Sequence, residues 1–312
     1  MPKSIQIPAK NSDFPRNIID KLIKFESQHD SIQTITIFFT NKIYLDDEHI
    51  EDFFDYIDSH FQHAKIQFEN THQISKSSVM CLLHNQHFIQ YIDDETLIDL
   101  IPATEETAEY CLHQPALSAR INQLKLPVNE QTFPSSCAAM SIMQYLRDTK
   151  KLPESEFTRC KELEIYSKIW KSPGEEADLV KIIQFCRSNN INLVGIDIQN
   201  CSQQFLSNHS SKQLKQLYGL FQQTLIDHYH QLKSTDTNFD PFKIASKILL
   251  VFINDETQDT HLVYAYKASN GRITMIDSDN KERSLSEYTS WDKFINSEAE
   301  FTGIGLGLTS QS

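Results

Sequence analysis

No glycine occurs before Gly174, and all seven lie between Gly174 and Gly307. Loops that cradle phosphate need glycine at a strand-to-helix turn, where the backbone must approach the anion closely. The first half of this chain therefore lacks the means to build a Walker-type or Rossmann-type nucleotide site. A calcium loop at Asp46-Asp47-Glu48 is excluded in the same way, for want of a glycine at its sharp turn. That acidic cluster reads instead as a helix start that complements the macrodipole. The late run Gly303-Ile304-Gly305-Leu306-Gly307 has no helix after it, and the expectation is a flexible or edge-strand ending.

Charge narrows the partners. Residues 1–120 hold 9 Lys and Arg against 19 Asp and Glu, the remainder 20 against 23, and the formal net charge is −13. Nucleic-acid binding needs cations that displace condensed counterions, so neither DNA nor RNA is expected as a partner. The same sign disfavours an anionic membrane surface, and no apolar run is long enough for a transmembrane helix. The stretch Met1–Pro15 lacks the apolar core of a secretory signal. Six scattered cysteines without a CxxC pair suit neither a disulfide scaffold nor a zinc ribbon. The expectation is a cytoplasmic protein, or one exported without a cleavable signal peptide, that needs no cofactor and no metal. His228 and His230 are two apart and would not share a helix face; His84 and His87 would point to opposite faces of a strand. The acidic first third predicts a partner with a basic patch.

At 312 residues the chain has room for about two domains of roughly 150 residues each. Residues 16–28 place Ile18, Ile19, Leu22, Ile23 and Phe25 near one helical face. Ser31–Thr40 alternates and is β-branched, hence a strand. Asp46–Ala64 reads as an acidic amphipathic helix with Ile50, Phe53, Phe54, Ile57 and Phe61 inward. Ser78–Leu83, His87–Ile92 and Thr96–Ile101 are expected as strands, and Thr104–Leu124 as helix. Residues 1–125 thus form an α/β region, whose acids and eight histidines make a solvated face. After the break at Leu126–Pro134 come helices at Ser136–Leu146 and Glu175–Asn189, a buried strand at Asn192–Ile198, and a polar helix over 211–234. Three strands follow, Ile248–Ile253, His261–Tyr266 and Arg272–Ile276, the last two joined across Asn270-Gly271. Helices segregated from antiparallel strands give residues 126–312 an α+β class.

Three segments carry chemistry: Gln131-Thr-Phe-Pro-Ser-Ser-Cys137, Thr260-His261-Leu-Val-Tyr, and Met275-Ile276-Asp277-Ser-Asp. A nucleophilic sulfur must be a thiolate, which the amino terminus of a helix favours, and Cys137 opens a run of helix formers. It needs a base, and the base needs an acceptor that fixes its tautomer. His261 opens one strand and Asp277 closes the next, 16 residues on, with the turn midway, so the two strand ends lie side by side. The tetrahedral oxyanion needs donors, and the Cys137 amide and the Gln131 carboxamide are candidates. The other five cysteines read as structural.

The order Gln, Cys, His, Asp resembles the papain-like cysteine peptidase superfamily. The Cys helix, the helix before a buried strand and the words HLVYAY and GRITMIDSD are similar to its bacteriocin-processing double-glycine peptidases. Papain-like bacterial effectors, among them glutamine deamidases and host-directed proteases, share the layout. The resemblance covers residues 126–290 at most. It implies a thiol hydrolase with Cys137 as nucleophile, His261 as base, Asp277 as orienting acid and Gln131 as oxyanion donor. It also implies a protein substrate, a host protein in the case of a secreted effector, with residues 1–125 as an accessory region. The same intermediate serves peptide cleavage, glutamine deamidation and transamidation.

Two alternatives stand beside it. His87 to Pro102 reads as strand–turn–strand beginning with His, with Asp99 or Glu105 in reach and Gln131 and Cys137 following. That order resembles the ubiquitin-like-protein proteases and related effector acetyltransferases, and would place catalysis within residues 1–150. The third reading is a non-catalytic interaction module of the papain-like fold.

Overall fold

Strands β1 (Ser4–Ala9), β2 (Thr34–Phe39) and β3 (Lys65–Glu69) form a parallel sheet in that order, with Ile5 opposite Ile35 and Ile37 opposite Phe68. Parallel neighbours need a long crossover, supplied here by α1 (Arg16–Glu26) and α2 (Asp47–His60). These elements belong to a computed structural model that describes residues 4–10, 14–26, 32–124, 129–198, 201, 205, 215, 219, 223, 232–234, 240–253, 260–279, 284–298 and 300–309. The chain divides into two units, Met1–Leu124 and Lys125–Ser312.

In the first unit α2 starts where the acidic cluster predicts, with the Asp46 carboxylate accepting from the His49 amide at 2.9 Å. Its face of Ile50, Phe53, Phe54 and Ile57 is buried. Rings of Phe54, Phe88, Phe68 and Phe39 follow one another at 5.3–5.9 Å between centroids, joining helix to sheet. In α1 only Ile18 and Leu22 are fully inward; Ile23 and Phe25, expected on the same face, are exposed.

The three strands expected between Ser78 and Ile101 are helices: α3 (Lys76–His84), α4 (Gln86–Tyr91) and α5 (Asp94–Leu100). Short apolar runs do not distinguish strand from helix by period alone, and here the caps decide. Ser75, Asn85 and Asp93 each accept a first-turn amide, at 3.2, 2.8 and 2.7 Å. The helical segment expected over Thr104–Leu124 is split into α6 (Glu105–His113) and α7 (Pro115–Asn122), with Pro115 at the first turn of the second helix.

The second unit is α+β, built on a seven-stranded sheet in the order β5-β4-β10-β6-β7-β8-β9. The strands are β4 (Asn192–Ile198), β5 (Leu232–Ser234), β6 (Lys247–Ile253), β7 (Thr260–Lys267), β8 (Ile273–Ile276), β9 (Leu285–Tyr288) and β10 (Phe301–Thr309). All neighbours are antiparallel except β4 and β5. Helix α8 (Cys137–Asp148) is buried from Cys137 to Leu146 and packs on β7. Around it lie α9 (Arg159–Ile169) and α10 (Leu179–Ser188); the latter begins four residues later than expected, at the Asp178 cap. Helix α11 (Trp291–Ser297) closes an aromatic core in which Trp291 stacks on Phe294 at 4.8 Å and Phe294 meets Phe301 at 5.4 Å.

The glycine-rich ending is not an edge. Strand β10 is central, paired with β4 on one side and β6 on the other. A Cβ on Gly307 would lie 2.8 Å from that of Ala245, and one on Gly305 would lie 3.0 Å from Ile248 Cγ2. These glycines are there for close approach, not for flexibility. The polar helix expected over 211–234 ends instead in strand β5; Lys215, Gly219 and Gln223 are helical, and the rest of it, with His228 and His230, lies outside the described residues. Among the described residues no helix is long and apolar enough to cross a membrane.

Candidate active site

Cys137 is the first residue of α8. The Ser136 hydroxyl, where a cap would sit, does not cap the helix; it donates its one hydrogen to Glu162 at 2.6 Å, with the Phe133 carbonyl oxygen 2.8 Å away. The first-turn amides are therefore left for negative charge that develops at the sulfur or beside it.

His261 and Asp277 come from one hairpin. Strand β7 pairs with β8 so that Tyr264 faces Ile276 and Lys267 faces Ile273. Continued three residues, that register sets His261 opposite Asp279, and Asp277, two positions away on the same face, is its diagonal neighbour, within reach of an imidazole and a carboxylate. His261 Nε2 and Asp277 Oδ1 are 2.7 Å apart. Gly271, at φ 83°, makes the tight return possible, with its amide donating to Ala268 O at 2.9 Å. The same Asp277 oxygen accepts the Asp279 amide at 3.1 Å, a turn that fixes the carboxylate.

The Cys137 side chain lies close enough to the same His261 ring to raise its affinity for a proton. With Nε2 donating to Asp277, Nδ1 is the nitrogen left to take the thiol proton. Burial lowers the proton affinity of His261, but Asp277 and Cys137 together outweigh it, and its pKa is pushed up from 6.5 to about 10. Helix and strand are also joined directly, through the Ser141 hydroxyl on the Leu262 carbonyl at 3.0 Å.

Gln131 is tied to the residue that follows the acid. Its amide donates to Ser278 O at 3.0 Å, and its Oε1 accepts from the Ser278 hydroxyl at 3.2 Å. One hydrogen of its carboxamide nitrogen goes to Pro134 O at 2.8 Å; the geometry of an NH2 group leaves a second to donate. The structure thus brings together all four residues singled out by their order in the chain, Gln131, Cys137, His261 and Asp277.

The sequence reading missed the group beneath them. Glu162 of α9 is fully buried and accepts the Thr132 amide, the Thr132 hydroxyl and the Ser136 hydroxyl, each at 2.6 Å. Arg159 stands 3.5 Å from the same carboxylate and donates to the Glu130 carbonyl. Burial pushes the Glu162 carboxyl up, opposed by these hydrogen bonds and by Arg159. Nothing in the linear pattern marks this residue, since an acid between Lys161 and Glu164 looks like any solvated helix position. Tyr166, a turn further along α9, is buried beside Ser135 and Cys137, and its hydroxyl donates to Glu175 O at 2.9 Å. Burial raises its phenol well above the usual range, which keeps it neutral.

The alternative arrangement loses its premise, because the segment from His87 to Pro102 is helical. His87 lies in α4, Asp99 in α5 and Glu105 in α6, all in the first unit. Burial raises the Asp99 carboxyl, opposed by Thr71 and reinforced by the charges of Glu95 and Asp93. Among the described residues, no group of three or more His, Cys, Asp or Glu could hold a metal ion.

No family model matches the chain, and no curated protein matches it. Among solved structures, it is similar to the peptidase domain of Streptococcus ComA, a bi-functional ABC transporter involved in a quorum sensing pathway. That likeness covers 58% of this chain and 96% of the other, at a TM-score of 0.34 and 10% identity. At that distance a functional reading has to rest on the geometry of the site itself.

Proposed function

We propose that the second unit is a papain-like cysteine hydrolase that acts on a protein substrate. The observation that supports this is the His261–Asp277 pair, 2.7 Å apart, whose imidazole also responds to Cys137 at the uncapped start of a buried helix. His261 takes the thiol proton, and the sulfur attacks the substrate carbonyl carbon. The oxyanion that forms is held by the Cys137 amide and the second hydrogen of the Gln131 carboxamide. As the carbon–nitrogen bond breaks, His261 returns the proton to the leaving nitrogen. Water, deprotonated by the same imidazole, then cleaves the thioester and restores the thiol. An amine leaves in peptide cleavage and ammonia leaves in glutamine deamidation; the protein groups are the same in both.

The test is competitive alkylation followed by mass analysis. At neutral pH, iodoacetamide is expected to label Cys137 well before the other five cysteines, and His261→Ala to slow that labelling. Uniform labelling of all accessible thiols would point to a binding module instead. Incubation with candidate protein substrates and intact-mass measurement separates the two reactions: fragments mean cleavage, a gain of about one dalton means deamidation.

A further inference from the structure

Gln131 and Cys137 bound a five-residue loop, and the residues at its two ends, Thr132 and Ser136, share one partner. Glu162 Oε1 accepts both the Thr132 amide and the Ser136 hydroxyl at 2.6 Å, and Oε2 accepts the Thr132 hydroxyl at 2.6 Å. The carboxylate is wholly buried, so it has no water to fall back on, and Arg159 at 3.5 Å holds it from behind. Arg159 also donates to the Glu130 carbonyl, on the other side of Gln131. The backbone immediately after one oxyanion donor and the side chain immediately before the other are therefore bolted to a single rigid group.

We propose that Glu162 is a positioning residue that sets the separation of the two oxyanion donors, the Gln131 carboxamide and the Cys137 amide. This rests on the hydrolase reading above and extends it. An oxyanion hole works only when its donors are fixed before charge develops, and a misplacement of about 1 Å costs on the order of 100-fold in rate. Glu162 acts through Thr132 and Ser136; it touches neither sulfur nor substrate.

The experiment compares two reactions of the same sulfur in the full chain. Alkylation by iodoacetamide is displacement at a saturated carbon and forms no oxyanion. Acylation by p-nitrophenyl acetate passes through a tetrahedral oxyanion. Glu162→Gln and Ser136→Ala are expected to slow acylation at least ten-fold while leaving alkylation of Cys137 within about two-fold, consistent with the loss of one aligned donor. Glu162→Gln keeps one accepting oxygen, so it should retain more acylation than Glu162→Ala. Equal slowing of both reactions would overturn the proposal and assign Glu162 a purely structural role. If the Glu162 variants do not fold, Thr132→Val and Ser136→Ala decide it by the same ratio. Failure of the unaltered chain to acylate at Cys137 would instead sink the hydrolase reading, and the positioning role with it.

Discussion

The Ser141 hydroxyl donates to the Leu262 carbonyl at 3.0 Å. Ser141 lies one helical turn after Cys137 and Leu262 is the residue after His261, so this bond sets the height of the Cys137 helix against the His261 strand. Helix packing alone tolerates sliding by a fraction of a turn; a buried hydrogen bond between the two elements does not. The pairing of Gln131 with Ser278, next to Asp277, does the same for the loop and the neighbouring strand.

Ser141→Ala should cost about 1 kcal/mol of stability, the net worth of one buried hydrogen bond. Urea denaturation measures this. The alkylation rate of Cys137 should fall as well, because the helix regains freedom relative to β7. A variant that loses stability with no change in alkylation would mean the bond does not set the register.

Selectivity among the six thiols is the next expectation. Burial pushes Cys186 up to about 12 and Cys201 up to about 11, and raises Cys81 as well. At neutral pH these three should label slowly with iodoacetamide, while Cys137, served by His261, should label first. Peptide mapping after brief alkylation gives the order directly.

His261 binds its proton more tightly in the folded chain, at about 10 against 6.5. The stability it contributes is complete below 6.5 and is lost as pH rises from there toward about 10. Asp277→Asn removes the charge that holds the proton, so the fall in stability across that window should be shallower in the variant. Denaturation midpoints taken at intervals of pH test this, and parallel profiles would refute the coupling.

Gly307→Ala and Gly271→Ala should both destabilise, for different reasons. At Gly307 the new methyl would sit 2.8 Å from Ala245 Cβ in the middle of the sheet, and overpacking of that kind costs about 1–3 kcal/mol. At Gly271 there is open space but φ is 83°, and the left-handed backbone costs about 1 kcal/mol for an L-residue. Chemical denaturation should rank Gly307→Ala as the more damaging. The reverse order would contradict the central placement of β10.

In the first unit, Arg120 donates to the carbonyls of Ile89 and Ile92 and pairs with Asp94 at 2.9 Å, stitching α7 to the end of α4 and the start of α5. Lys has no fork to reach three acceptors at once. Arg120→Lys should cost about 1–2 kcal/mol, roughly one charge-assisted hydrogen bond, readable as a lower denaturation midpoint.

The chain order of Gln131, Cys137, His261 and Asp277 was legible without coordinates because each requirement is local. A helix start is written in the residues that open it, and a turn midway between His261 and Asp277 brings the two strand ends of one hairpin side by side. The strands at 34–39, 192–198 and 248–253 were legible for the same reason, through alternation or continuous burial. Apolar runs between Ser78 and Ile101 became helices through local caps at Ser75, Asn85 and Asp93 that the period of the apolar residues does not register. Tertiary structure alone decided the rest. The glycines of β10 became the middle of a sheet because neighbouring strands and Ala245 leave no room for a side chain. Glu162 became the anchor of the loop because burial beside Thr132 and Ser136, some 26 to 30 residues away in sequence, turns an ordinary helix acid into a fixed acceptor. Local preference is encoded residue by residue; which faces meet is settled only when distant segments exclude water together.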